Sequence, residues 1–551
     1  MDDSQQNGVD AASTAADSAA DHVDAVVIGA GFSGLYMLHR LRELGFSVRV
    51  YEAGEGVGGT WYWNRYPGCR CDSPSFYYSY SFSPELEQEW EWTEFFPGQP
   101  EILRYLNHVA DRFDLRRDIQ FKTRVSQARY DEAQQRWAIT TEDGAVVWAS
   151  FCIAAVGCLS APNIPTLPGS ESFAGQIYHT AQWPQHAVDF TGQRVGVIGT
   201  GSTGIQIIPY LAQHAAHLTV FQRTANYTVP ARNRPLRPEE QAEIKANYRQ
   251  LRQECRISHD GLSFRLKAAD RSVLADSPEE QRRQFERGWQ EGAYVLTRLY
   301  HDLTANLAAN APIADFVRAK IKEIVHDPQV AERLTPTDHP FGSKRLPLDS
   351  DYFDTYNRPN VTLVDLRQTP IEAVTPGGLR TSAGDYALDA LVFATGFDAM
   401  TGPLLRIAIV GRDGLTLQEK WAAGPRSYLG LQVAGFPNFF TITGPGSPSV
   451  LSNFPPSIEQ HVEWIADCLA YLREAGLTTI EPTVAAEDEW VEHVNEVAAQ
   501  TLYPLANSWY LGSNIPGKPR IFMPYAGGVG AYRKRCAAVA ANGYEGFLLH
   551  A

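Results

Sequence analysis

The sequence predicts an α/β protein built on two Rossmann-like units with a mostly helical insertion. Two observations carry the prediction. Gly29-Ala30-Gly31-Phe32-Ser33-Gly34 lies between a short apolar run and a helix-periodic one, and Gly199-Thr200-Gly201-Ser202-Thr203-Gly204 repeats that arrangement further along. A charged stretch from 236 to 330 with helical spacing then separates the second unit from a return to strand-like runs.

Taken in order, Asp24 to Ile28 reads as a buried strand entering the first turn. Phe32 to Leu44 has helical spacing, which Gly45 stops, and Phe46 to Tyr51 is the next strand, ending at Glu52. That is a complete β-turn-α-β unit. Thr60 to Trp92 is dense in Trp, Tyr and Pro, Gln99 to Phe113 reads as a helix, and 119 to 157 alternates as strands do. Ala161 to Pro168 is proline-rich and reads as a linker. Arg194 to Ile198, Gly204 to Gln213 and Leu218 to Phe221 form the second unit. Strand-like runs follow over 346–398, and a helix near Glu459 to Glu474. The expected domains are a disordered tail over 1–22, a first domain over 23–160, and a second over 161–385 that contains the linker and the insertion 236–330. The first domain resumes over 386–551 with the C-terminal region.

Composition narrows the class. A chain of 551 residues exceeds one compact core. Its 44% apolar and 20% charged residues are those of a soluble globular protein, and a net charge of −15 argues against a nucleic-acid partner. The seven cysteines contain no CxxC pair, so no zinc knuckle or dithiol centre is signalled. Sparse, odd-numbered thiols fit a cytoplasmic protein. No apolar run approaches the roughly 20 residues that cross a bilayer. The N-terminus lacks the basic region and apolar core of a secretory signal. The oligomeric state stays open, and a monomer is consistent with the sequence.

The two glycine turns share one logic. Gly29 and Gly199 permit the tight turn, Gly31 and Gly201 let backbone approach a pyrophosphate, and Gly34 and Gly204 let helix and strand pack closely. The helix N-terminus then offers N–H donors to phosphate, with Thr200, Ser202 and Thr203 around the second turn. The ends of the second strands separate the ligands. Glu52 lies 23 residues after Gly29 and suits the ribose hydroxyls of FAD or NAD. Gln222 stands at the same offset from Gly199, followed by Arg223 and Thr224. A cation beside a missing acid suits the 2′-phosphate of NADP. Two dinucleotides together imply hydride transfer from NADPH to a flavin.

Between the units stands Phe173-Ala174-Gly175-Gln176-Ile177-Tyr178-His179-Thr180-Ala181-Gln182-Trp183-Pro184. It resembles the FxGxxxHxxxW(P/D) fingerprint of type I Baeyer–Villiger monooxygenases. A second pattern of that family matches from Gly59 through Trp61, Tyr66, Pro67 and Gly68 to Asp72. The likeness runs from about Val23 to the C-terminus and is greatest to the phenylacetone and steroid monooxygenases. It implies an FAD- and NADPH-dependent flavoprotein that inserts one oxygen atom of O₂ beside a ketone carbonyl, giving an ester or lactone. In the family's mechanism a C4a-peroxyflavin attacks the ketone and a Criegee adduct follows.

The resemblance also assigns residues. Asp338-His339-Pro340-Phe341-Gly342-Ser343-Lys344-Arg345-Leu346 matches a segment whose arginine, here Arg345, sits against flavin and nicotinamide. Lys344 beside it reaches the 2′-phosphate. Asp72 orients Arg345. Thr60, Trp61, Tyr62, Trp63, Arg70, Cys71, Tyr78 and Val125 line the flavin cofactor. Trp509, in Asn507 to Lys518, hydrogen-bonds the bound cofactor, and Gly444 to Leu451 resembles the substrate-pocket loop. A fixed guanidinium stabilises developing negative charge, an effect worth roughly 3–4 kcal/mol per donor. No metal is expected. His179 is expected to be structural, and Cys69 and Cys71 to have no redox role.

One departure bears on substrate scope. Relatives usually carry methionine where Phe454 stands and lack the Pro455-Pro456 pair, so a stiffer, bulkier segment is expected there. The alternative reading is a flavin-containing monooxygenase oxidising N or S centres, against which Trp183-Pro184 argues.

Overall fold

The computed structural model describes residues 22–263 and 270–551. The tail expected over 1–22 lies outside the described residues, apart from His22. That residue already pairs with Trp148, because its strand, His22–Ile28, begins two positions before Asp24.

The first sheet has eight strands. His22–Ile28 sits centrally, parallel to Val48–Tyr51 on one side and Val146–Ala154 on the other. Ile119–Gln120 extends one edge. The alternating stretch becomes an antiparallel meander, Val125–Asp131, Arg136–Thr141 and Val146–Ala154. Alternation marks it because one residue in two faces the core. Ala408–Val410 and Phe439–Thr441 return to this sheet. Helix Phe32–Glu43 packs against helix Phe454–Ala475, and Gly45 (φ +76°) stops it as expected.

The second sheet is five-stranded and wholly parallel, in the order Val361–Asp365, His217–Gln222, Arg194–Ile198, Ala390–Phe393, Gln176–His179. This corrects the expected domain division at 385/386. Ala390–Phe393 belongs to the second sheet, and the return to the first begins only after it. An apolar run fits the middle of either parallel sheet, so the pattern alone did not say which.

Two crossing segments join the sheets. The linker expected over Ala161–Pro168 contains no helix or regular strand, and the return runs from 394 to 401. They lie side by side: Asn163 N–H donates to the Gly396 carbonyl at 2.9 Å and Asp398 N–H to the Ala161 carbonyl at 2.9 Å. The insertion is helical as expected, with Pro238–Ile257, Pro278–Glu291 and Leu307–Ile324. Each first turn is signalled in sequence, for example by Ser277 accepting the Glu280 N–H, with Pro278 at the helix start. Phe454, Pro455 and Pro456 form the first turn of helix Phe454–Ala475. First-turn N–H groups have no intrahelical acceptor, so the prolines lose no bond; they start a helix.

Candidate functional site

The first glycine turn closes by backbone contact. Gly29 has φ +105°, and a Cβ there would lie 2.7 Å from the Ala155 carbonyl oxygen. A Cβ on Gly34 would lie 1.8 Å from the Gly29 oxygen, so helix and turn touch only because neither has one. Helix Phe32–Glu43 starts at Gly31 with no side-chain cap, leaving its first N–H groups to an anion. Glu52 is buried at the end of Val48–Tyr51. Its carboxylate accepts the Ala30 N–H at 2.8 Å and the Gly54 N–H at 2.7 Å. Burial raises its pKa and these two donors pull against it. The acid thus fixes the turn at whose rim a ribose would be read. Val125, at the start of its strand, is buried close by in sequence to Thr123, whose N–H donates to the Glu52 carbonyl at 2.9 Å.

The second turn repeats the geometry. Gly199 has φ +110°, a Cβ there would meet the Ala394 oxygen at 2.4 Å, and one on Gly204 the Gly199 oxygen at 2.2 Å. A Cβ on Gly201 would meet nothing within 4 Å, which leaves room for a pyrophosphate against the backbone. Helix Ser202–His214 also starts without a side-chain cap. Thr200 Oγ1 donates to the Thr224 carbonyl at 3.0 Å and ties the turn to the strand end. Gln222 is buried, and its Oε1 has no hydrogen-bond partner among the described residues. Arg223 is exposed beside it. Lys344 Nζ lies 3.8 Å from the Asp338 carboxylate. Burial lowers its pKa, Asp338 opposes that, and Arg223 and Arg367 lower it further. Three cations therefore gather at the carboxyl end of a parallel sheet, beside a strand end without an acid. This donor set fits a dinucleotide carrying a 2′-phosphate, as the first turn with Glu52 fits one without.

An aromatic segment stands beside the first turn. Trp61 and Tyr62 are buried in the one-turn helix Thr60–Trp63, and Trp63 is half-buried. Trp61 Nε1 donates to the Tyr78 hydroxyl at 3.2 Å, and the Tyr78 ring meets Phe32 edge-on at 5.2 Å. Phe32 opens the dinucleotide helix, so this wall touches the first turn directly. Arg70 is tied to Glu94 and to the Phe96 carbonyl. Burial pushes the Cys71 thiol up to about 12. All seven cysteines are free and buried.

Asp72 and Arg345 meet. Arg345 Nη2 donates to Asp72 Oδ2 at 3.2 Å across 273 residues, and Nη1 lies 3.5 Å from the carbonyl of Val450 in the expected pocket loop. Burial raises the Asp72 pKa and Arg345 opposes it. Burial is the largest single influence on the Arg345 charge and works against it, but Asp72, Tyr510 and Tyr294 together outweigh it, and the guanidinium is held above its ordinary value. Trp509 begins a short 3₁₀ turn, and its ring centroid lies 4.4 Å from that of Tyr510, which is buried in electrostatic contact with Arg345. Beside Asp72 opens a cleft of about 220 Å³, between Gly68–Asp72 and the helix residues Ile205, Gln206 and Pro209.

His179 sits apart from this pair. Its Nε2 lies 3.3 Å from the Asn163 carbonyl and 3.2 Å from Thr395 Oγ1, while Nδ1 accepts the Ala181 N–H at 3.1 Å. It fastens the outgoing and returning crossings together, and burial lowers its pKa.

Two contacts had no counterpart in the sequence reading. The Gln206 side-chain amide accepts from the Tyr66 hydroxyl at 2.7 Å and donates to the Arg70 carbonyl at 3.0 Å, joining the second unit to the segment carrying Asp72. Its position two residues past Gly204 is the only hint the chain offers. Tyr294, from the helical insertion, donates its hydroxyl to the main-chain carbonyl of Asp72.

A flavin-binding monooxygenase-like (FMO-like) family matches residues 22–234. A Baeyer–Villiger monooxygenase of Pseudooceanicola batsensis is 45% identical over 95% of this chain and 96% of its own. The chain belongs to the Baeyer–Villiger monooxygenases. A phenazine N-monooxygenase of Lysobacter antibioticus is 44% identical over 96% of this chain and 97% of its own. Among solved structures, an oxidised steroid monooxygenase bound to NADP shares 52% identity with a TM-score of 0.91, covering 96% of this chain and 99% of that one.

Asp349 accepts the Tyr352 N–H at 2.6 Å and the Thr228 hydroxyl at 3.2 Å, yet burial pushes its carboxyl up to about 6. A raised carboxyl contributes fully below its unfolded value and loses that contribution as pH rises through about 6. Two units correspond to roughly 2–3 kcal/mol. Asp349→Asn keeps an acceptor for Tyr352 and removes the buried charge. It should melt a few degrees higher at pH 8, and that gain should shrink as pH falls through about 6 and vanish only below the unfolded value, near pH 3.8. Equal gains across that range in thermal melts would refute the assignment.

Proposed function

We propose that this Baeyer–Villiger monooxygenase uses FAD and NADPH to insert one atom of O₂ beside the carbonyl of a small-molecule ketone, giving an ester or lactone. The observation that carries the reading is the Asp72–Arg345 pair at 3.2 Å, assembled from two motifs on different units. Gly29, Gly31, Gly34 and Glu52 hold the FAD, with Trp61, Tyr62, Trp63 and Tyr78 against it. Gly199, Gly201, Gly204, Arg223, Thr224 and Lys344 hold the NADPH, and Trp509 supports it. When bound, the nicotinamide supplies electrons and the flavin activates oxygen.

The chain's own part is positioning and charge. Arg345 stays cationic at every working pH and so stabilises negative charge developing on the substrate oxygen. Asp72 aims the guanidinium without neutralising it, since the pair is joined by a single bond at one Nη. The Trp61–Tyr78–Phe32 wall keeps water from the reacting atoms. No helix among the described residues is long and apolar enough to cross a membrane.

The test is NADPH consumption against a panel of ketones, thioethers and amines, with product masses checked. One added oxygen on ketones supports the reading. The N-oxygenating relative makes the other arms informative: oxygen added to amines or thioethers, and to no ketone, would overturn it.

A further inference from the structure

The helical insertion reaches the Asp72–Arg345 pair through one side chain. After helix Pro278–Glu291 the chain turns sharply at Gly292 (φ +76°) and Ala293 (φ +51°). A Cβ on Gly292 would lie 2.3 Å from the Arg232 side chain and 2.7 Å from the Pro230 carbonyl, and Ala293 N–H donates to that same carbonyl at 2.6 Å. The corner is thus clamped on the second unit, and it delivers Tyr294. The Tyr294 hydroxyl donates to the main-chain carbonyl of Asp72, 222 residues away.

Tyr294 is itself held from behind. The Arg298 guanidinium stands 5.7 Å over its ring and pairs with Asp260. The carbonyl of Asp260 accepts the N–H of Asn453 at 2.8 Å. Asn453 caps helix Phe454–Ala475 and follows the loop whose Val450 carbonyl faces Arg345. A continuous set of contacts therefore runs from Asp72 through Tyr294, Arg298 and Asp260 to the pocket loop. Both ends meet Arg345. Burial keeps the tyrosine hydroxyl protonated, and hence a donor, throughout the working range.

From this geometry we infer that Tyr294 is a positioning residue for oxygen insertion: it fixes Asp72, and through Asp72 the Arg345 guanidinium, and makes the insertion part of the active-site frame. The inference rests on the roles proposed above for Asp72 and Arg345. A carbonyl without its donor is free to shift, and a small misplacement of a charge-stabilising group carries a large rate penalty. Tyr294 touches Asp72 by its backbone, so its loss should loosen the pair without removing either charge.

The test uses the FAD-loaded enzyme. Tyr294→Phe removes only the hydroxyl. It should lower ketone oxygenation about tenfold, the scale of one lost hydrogen bond, with ketone KM unchanged and NADPH oxidation diverted to hydrogen peroxide. Hydrogen exchange, read by mass spectrometry, should speed up in the peptide spanning Cys69 to Phe76, with melting temperature and NADP⁺ affinity unchanged. Arg298→Ala should reproduce both effects, and Arg298→Lys, which keeps a cation over the ring, should restore much of each. Wild-type oxygenation and exchange in Tyr294→Phe would overturn the inference. Arg345→Ala, run in parallel, separates the two readings. If it loses oxygenation while Tyr294→Phe is normal, only the role of Tyr294 falls; if it oxygenates normally, the proposed role of Arg345 falls first.

Discussion

Arg345→Ala should retain FAD, remain reducible by NADPH, and lose ester formation by about 10²–10³-fold, the loss seen when one preorganised donor is removed from a developing oxyanion. Cofactor binding survives because the glycine turns are closed by backbone contacts that do not involve Arg345. Oxygenation does not, because no other guanidinium or ammonium among the described residues pairs with Asp72: Lys344, next in sequence, faces Asp338 and the Arg223 side of the sheet. Arg345→Lys should rescue poorly, since an ammonium has one nitrogen where the guanidinium meets the Val450 carbonyl and Asp72 with two. The variant also has a stability signature. With the guanidinium gone, burial acts on Asp72 against the Leu348 backbone N–H alone, and its carboxyl rises further. A raised carboxyl loses its contribution as pH increases, so the melting deficit against wild type should widen toward alkaline pH. Stopped-flow reduction and product analysis decide the kinetic part; normal ester formation would end the mechanism given above.

Much of this site was legible because its parts are short-range and chemically constrained. Gly34 admits no Cβ, and such a position writes itself into sequence as glycine. Glu52 and Gln222 stand at equal offsets from their turns although the helices between are 12 and 13 residues long and the second strands four and six. Asp72 and Arg345 were found by motif resemblance, and in the fold one lies along the chain between Trp61 and Tyr78 of the aromatic wall and the other precedes the strand Leu348–Asp349 that docks on Val229–Pro230. What stayed hidden depends on tertiary return paths. Leu391 to Phe393 fits either sheet by pattern and joins the second by pairing with Arg194–Ile198. Tyr294 lies in a stretch whose helical spacing says nothing of the non-helical corner beside it, and its partner is a backbone carbonyl, which leaves no complementary residue to read. Gln206 is likewise bonded to main chain at Arg70. Phe454-Pro455-Pro456 reads in sequence only as a stiff, bulky segment, and the Asn453 boundary shows it to be the first turn of a helix.

Arg223→Ala should raise the KM for NADPH by about 10- to 100-fold and leave that for NADH nearly unchanged, the range expected when one or two charge-assisted hydrogen bonds to a phosphate are lost. The asymmetry follows from the strand ends. NADH has no 2′-phosphate, and Gln222 supplies no carboxylate to hold its ribose hydroxyls, so the site has little affinity for NADH to lose. For NADPH the site depends on like charges gathered before the ligand arrives. Lys344 already has a lowered pKa from burial and from its neighbours Arg223 and Arg367, with Asp338 opposing. A bound phosphate would relieve that repulsion, so removing Arg223 subtracts an attraction to the phosphate and also relaxes the strain on Lys344. The fall in affinity should therefore be smaller than the contact alone would give, and salt should weaken NADPH binding less in the variant than in wild type. Calorimetric titration with 2′,5′-ADP and 5′-AMP isolates the phosphate from the nicotinamide. An unchanged ratio of their affinities in Arg223→Ala would move the 2′-phosphate elsewhere and leave Gln222 without its explanation.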